Sequence, residues 1–108
     1  MTKMYFLINT DLKMSVGKIC SQIGHAAIGC HDSAHKRELK TWNEDGSAKI
    51  ALKATSNDIR RLVAFCLDNG INHWCVVDSG KTQVPEGSKT LLAIGPCKGD
   101  FLNELKLY

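Results

Sequence analysis

The sequence predicts a layered α/β domain built on a four-stranded sheet. Three observations lead there. Apolar runs of strand length alternate with longer stretches of helical periodicity, in the order strand, helix, strand, helix, strand and a closely following strand. Turn-forming pairs break the chain at Asp45-Gly46, Asn69-Gly70 and Gly95-Pro96. The length of 108 residues suits one domain over residues 1–108, and 44% hydrophobic with 23% charged residues is ordinary globular composition.

Met4 to Asn9 (MYFLIN) reads as a first, buried strand. Asp11-Leu12-Lys13-Met14 then turns into a helix, with Ser15 as N-cap and Cys30 near its end. Val16, Ile19, Cys20, Ile23, Ala26, Ala27 and Cys30 supply its apolar side. Gly17 and Gly24 cost it helix propensity, which points to close approach of a backbone or ligand. Helical character resumes from Asp32 to Glu44, where Leu39 and Trp42 share a buried edge. Lys49 to Ala54 (KIALKA) alternates as a second strand. Ser56 caps a third helix, in which Ile59, Leu62, Val63 and Cys66 keep helical spacing until Asn69-Gly70. His73 to Val77 (HWCVV) reads as an inner strand covered on both faces. Ser79 to Lys89 is a polar loop, and Thr90 to Ile94 (TLLAI) is a fourth strand stopped by Gly95-Pro96.

On the first helix Lys18, Gln22 and His25 stand at i, i+4 and i+7, within roughly 60° of arc at about 100° per residue. A cation, an amide and an imidazole on one face have the parts of a site. A lone helical histidine is more often structural, so the stripe needs a partner. Asp78 is the one on offer, because it ends an apolar strand where a loop begins, and open α/β sheets bind ligands beyond the carboxyl ends of their strands. The bland alternative is a carboxylate that only caps the Gly80 turn. Beyond it, Lys81, Thr82, Gln83, Ser88 and Thr90 could orient a water or hold a phosphate or ribose hydroxyl, although polar loops are also the default at a surface.

Other chemistries find less support. Cys30, His31 and His35 invite a zinc reading through the i, i+4 histidines, but no second ligand pair stands at metal-site spacing, and no metal or cofactor is expected. Gly17-Lys18 lacks the upstream glycine of a Walker loop, which disfavours nucleotide hydrolysis. Five cysteines without a CxxC pattern fit reduced thiols in a cytoplasmic protein. The Met4 to Ile8 run is too short for a signal or membrane segment, so a soluble protein is expected. The net charge of +3 permits a polyanionic partner without requiring one. Its basic residues gather in two stretches, Lys13, Lys18, Lys36 and Arg37, then Lys81, Lys89 and Lys98, which could merge into a phosphate-facing patch.

Taken in order, Asp11-Leu12-Lys13-Met14, Gly17-Lys18, Gln22 with His25-Ala26-Ala27, Trp42, Gly46, Lys49-Ile50 and Asp78-Ser79-Gly80-Lys81-Thr82-Gln83 resemble the type 2 peptidyl-tRNA hydrolase family. Gly87-Ser88, Thr90, Ile94-Gly95-Pro96 and the closing Leu105-Lys106-Leu107-Tyr108 extend the likeness over essentially the whole chain. Ser79 and Lys81 depart from the family's usual Ala and frequent Arg, and the segment from Pro96 to Leu105 is shorter than usual.

The resemblance implies a three-layer α/β/α fold with a mixed four-stranded sheet, commonly as a homodimer. It implies hydrolysis of the ester joining a peptide to the 3′ ribose of tRNA, with no metal or organic cofactor. The alternative is a non-catalytic tRNA-binding or adaptor domain on the same fold. Carried over by position, Lys18, His25, Asp78 and Thr82 form the catalytic set, with Lys13, Gln22, Lys81, Gln83, Ser88 and Thr90 on the substrate. Asp78 with Thr82 would orient or deprotonate water, and Lys18 would neutralise an oxyanion or hold the terminal phosphate. His25 would assist proton transfer or bind the 3′ adenosine. Lys13, Lys36, Arg37, Lys81 and Lys89 would face the tRNA backbone.

Overall fold

A computed structural model of the chain describes residues 1–80, 84–85 and 87–108. The strands are β1 (Lys3–Asn9), β2 (Lys49–Ala54), β3 (His73–Val77) and β4 (Lys89–Cys97). The helices are α1 (Val16–Ser33), α2 (Lys36–Glu44) and α3 (Ser56–Asn69), and a single 3-10 turn occupies Asp100–Leu102. The sheet order is β2-β1-β4-β3, with β1 parallel to β2 and antiparallel to β4, and β4 antiparallel to β3. The sheet is therefore mixed. Strands β1, β2 and β3 run the same way, so Asn9, Ala54 and Val77 close the same edge of the sheet.

Successive side chains of a strand point to opposite faces, and this alternation sorts the core into two layers. Met4, Phe6 and Ile8 of β1, with Leu91 and Ala93 of β4, pack against Ile19, Ala26 and Cys30 of α1 and Trp42 of α2. Tyr5, Leu7, Leu92 and Ile94 face the other way, onto Ile59, Leu62 and Cys66 of α3. Because both faces are covered, β1 and β4 read in the sequence as unbroken apolar runs.

Several expectations need correction. β3 is an edge strand, not an inner one: Trp74 is 45% and Val77 57% exposed. Its apolar run reflects packing against α1, where Trp74 lies on Gly29, instead of cover by a further strand. β4 does not stop at Gly95-Pro96 but runs through that cis peptide bond to Cys97. Thr55, not Ser56, caps α3, in a reciprocal pair with Asp58. The stretch from Asp32 to Glu44 is divided, with α1 running on to Ser33 and α2 beginning at Lys36 after the extended Ala34 and His35. The trimmed segment after Pro96 holds only the 3-10 turn, after which Lys106 O accepts from Lys53 N at 2.8 Å and covers the β2 edge.

The structure tests one half of the glycine expectation, the approach of another part of the chain. Gly24 meets nothing within 4 Å and Gly17 only Ser15 Oγ, so neither serves a close approach within the chain. Gly29 does, since a Cβ there would overlap the Trp74 indole. Gly24→Ala should therefore raise stability by about 0.5–1 kcal/mol. Gly29→Ala should forfeit that gain and add an overpacking cost of about 1–3 kcal/mol. Thermal unfolding of the two variants checks this, and equal midpoints would contradict the packing.

Candidate active site

The first turn of α1 sets the site. Ser15 Oγ accepts the Lys18 backbone N–H at 3.1 Å, which fixes where the helix starts and thus which residues face β3. At about 100° per residue, Ile19, Ala26 and Cys30 mark the core direction, and the Lys18 stripe flanks it roughly a quarter-turn away. Gln22, turned furthest towards the core, is buried at 4% exposure, whereas His25, turned furthest from it, is exposed. Val16 and Cys20, expected on the apolar side, lie beyond the core's opposite flank and are exposed.

Asp78 follows β3 at the sheet edge where β1 also ends, and the stripe meets it there. Lys18 Nζ donates to Asp78 Oδ1 at 2.5 Å, with the side chains only 11% and 5% exposed. Gln22 Nε2 donates to the same oxygen at 3.1 Å, and the Gly80 N–H to Oδ2 at 2.7 Å. The Asp78 backbone is held as well, its N–H bonded to Ser88 O and its carbonyl accepting from Gly87 N, both at 2.9 Å. The Lys18 hydrogen bond, then that of the Gly80 N–H, outweigh burial and hold the Asp78 carboxyl below its usual range. A lysine in the first helical turn sits against the helix dipole, so the carboxylate compensates an otherwise unfavourable position.

An ionised carboxylate only accepts, so the Gln22 amide must turn its NH2 towards Asp78. Its Oε1 then remains as a buried acceptor to which no described residue donates. A buried acceptor of this kind costs about 1–3 kcal/mol unless something bonds to it.

The remaining candidates divide. His25 is one turn along the stripe and bonds to none of the described residues. Lys13 is exposed on the loop before α1. Ser88 spends its hydroxyl on Pro85 O at 2.7 Å, while its carbonyl braces Asp78. Thr90 is wholly buried within β4, its Oγ1 directed at Val76 O at 3.4 Å, so it does not line the cleft. Lys81, Thr82 and Gln83 lie outside the described residues.

Asn9 was missed by the sequence reading. It is 2% exposed, and its Nδ2 donates to Ser56 Oγ at 2.9 Å and to Lys89 O at 2.8 Å while its Oδ1 accepts from Asp11 N at 2.9 Å. It thereby ties the loop leading to Lys18 to the strand that leaves the Asp78 loop. The signal was the one that singled out Asp78, a polar residue ending an apolar strand.

The Cys30, His31 and His35 cluster does not assemble. His31 is on α1 but His35 caps α2, so the two imidazoles do not share a helical face, and Cys30 is buried against Gly95 O. Among the described residues no group of three metal-ligating side chains converges. Burial pushes the Cys30 and Cys97 thiols up to about 12 and that of Cys66 to about 11, which leaves them unreactive. A groove of about 630 Å³ between Tyr5, Leu52, Lys98 and Leu105 opens at the other end of the strands; of the residues singled out in the sequence it holds Lys98 of the basic patch and no member of the catalytic or substrate-binding set.

Fold and site together define a three-layer α/β domain with a lysine–carboxylate centre at its strand ends. The model of the family peptidyl-tRNA hydrolase PTH2 matches residues 2–107, and the chain belongs to that family. It is 40% identical over 114 residues to the probable peptidyl-tRNA hydrolase 2 of Dictyostelium discoideum, covering 98% of this chain and 54% of the relative. Against the mitochondrial peptidyl-tRNA hydrolase 2 of Homo sapiens it is 34% identical over 114 residues, with 98% and 64% covered. With the peptidyl-tRNA hydrolase of Methanothermobacter thermautotrophicus it shares 35% over 104 residues, 95% of this chain and 93% of that one. The chain thus spans 54% and 64% of these two eukaryotic relatives and nearly all of the archaeal one.

Proposed function

We propose that residues 1–108 act as one domain that hydrolyses the ester between a peptide and the 3′ ribose of tRNA, and that Lys18, Gln22 and Asp78 form the centre of its site. The observation that carries this reading is the cluster itself: a cation, an amide and a carboxylate, nearly out of water, in a family whose relatives are named for this reaction. Ester hydrolysis needs an oriented water and a stabilised oxyanion. Lys18 supplies the charge that meets the oxyanion. Asp78 already accepts from Lys18, Gln22 and Gly80 and is held below the ordinary carboxylate range, which makes it a weak proton acceptor at neutral pH. Its task is to order Lys18 and Gln22 and, with Thr82, to orient the attacking water. Thr82 with Lys81 and Gln83 completes the water's cradle, and His25 contacts the 3′ nucleotide.

The reaction proceeds without a metal, in the reducing cytoplasm that five unlinked thiols suit. The mammalian relatives named as mitochondrial make that compartment the alternative. A second copy covers the outer face of α1, where Val16 is 78% and Ile28 67% exposed, away from the stripe.

Turnover of N-acetyl-aminoacyl-tRNA in the presence of a chelator tests the reading. Release of the acyl amino acid at an undiminished rate is expected. Tight tRNA binding without cleavage would favour the adaptor alternative, and loss of activity in chelator would restore a metal.

A further inference from the structure

The stripe does not end at His25. Gly29 is the next residue at the same helical angle, and there the side chain is replaced by the indole of Trp74 lying across the helix backbone. Trp74 and Asp78 belong to β3 and the residue just beyond it, four positions apart, or about 13 Å along an extended strand. Lys18 to Gly29 spans about 16 Å of helix. The seam between α1 and β3 therefore carries, in order, the Lys18–Asp78–Gln22 cluster, the exposed residue His25, and Trp74, which is 45% exposed.

An exposed tryptophan that forces a glycine into the facing helix is a costly way to cover a sheet edge. A leucine would bury as well without requiring Gly29. What the indole adds is a flat, rigid π-surface continuous with the site. Nucleobases stack on such surfaces without regard to sequence.

We infer that Trp74 is a stacking platform for an unpaired nucleotide at the 3′ end of the tRNA, which runs along the α1–β3 seam past His25 while its terminal ribose ester lies at Lys18. This rests on the hydrolase reading and extends it. Two arms leave the scissile ester, the nucleotide chain and the peptide. Only the first is common to every substrate, so a fixed aromatic surface suits it, whereas peptides of varied sequence gain nothing from one. At the roughly 3.4 Å rise of a stacked strand, the seam is long enough for several nucleotides. Lysines are not required along it, because stacking supplies the contact.

The two tryptophans make the test direct. Trp42 is 6% exposed with its indole N–H bonded to Ala48 O, so quenching by added RNA reports on Trp74. A minihelix ending in unpaired CCA should quench the emission, and a blunt duplex of the same stem should not. Trp74→Leu should raise KM for N-acetyl-aminoacyl minihelix on the order of five- to 150-fold with kcat little changed, and Trp74→Phe should restore most of the loss. Equal quenching by the blunt duplex, quenching by an N-acetyl peptide ester instead of RNA, or a KM for Trp74→Leu within twofold of the parent would overturn the inference. Should Trp74→Leu fail to fold, the comparison of the two minihelices on the unmodified protein decides. Because quenching needs no turnover, absence of cleavage would count against the hydrolase reading alone.

Discussion

Lys18→Met should lower kcat on N-acetyl-aminoacyl-tRNA by about 10²–10³-fold, the loss seen when one preorganised oxyanion donor is removed. Methionine keeps most of the apolar stem of Lys18 and the backbone N–H that Ser15 caps, so the packing of α1 should survive. It removes the single described cation in contact with Asp78. Two roles for Lys18 separate in the kinetics. If the ammonium meets the oxyanion, kcat falls and KM moves little, because the contact is gained only in the transition state. If it held the terminal phosphate, KM would rise and kcat would stand. Steady-state rates beside thermal unfolding of the same preparation distinguish these outcomes. A folded Lys18→Met enzyme with near-normal kcat would remove Lys18 from the chemistry.

Much of this arrangement was legible in the sequence because it depends on local periodicity. The stripe of Lys18, Gln22 and His25 follows from helical spacing alone, and the placement of Asp78 follows from a strand end meeting a loop. Periodicity does not give the direction of the core, so it groups Gln22 with Lys18 and His25 without showing that Gln22 is buried and His25 exposed. Nor does it show strand order. An apolar run such as HWCVV looks alike whether a strand or a helix covers it, so the sequence predicts an inner strand where β3 is an edge strand. Thr90 opens the predicted fourth strand yet was counted with the loop's polar groups; pairing starts already at Lys89, and the Thr90 side chain is buried within the sheet. Asn9 escaped because its meaning lies in contacts 47 and 80 residues away. The i, i+4 histidine pair failed for a related reason: spacing has geometric meaning only inside one helix, and α1 ends at Ser33.

Asp78→Asn should reduce turnover by about 10²-fold or more, although the replacement is nearly isosteric. The carboxylate accepts from Lys18 and Gln22 at one oxygen and from the Gly80 N–H at the other. An amide has one acceptor and one donor end, so in either orientation an NH2 faces a donor and part of the cluster loosens. The pH dependence separates an ordering carboxylate from a basic one. The native carboxyl lies below its unfolded value of about 3.9, so its contribution to stability is complete above that value and is lost as pH falls through the native one. The stability gap between the parent and Asp78→Asn should therefore be flat from pH 5 to 8 and shrink below about pH 4. The parent's kcat should show no limb between pH 5 and 8 that vanishes in Asp78→Asn. A limb near pH 6 that does vanish would mean that substrate binding lifts the carboxyl into the range of a general base. In that event Asp78 would abstract the proton itself, and Lys18 would have to move away from it to reach the oxyanion.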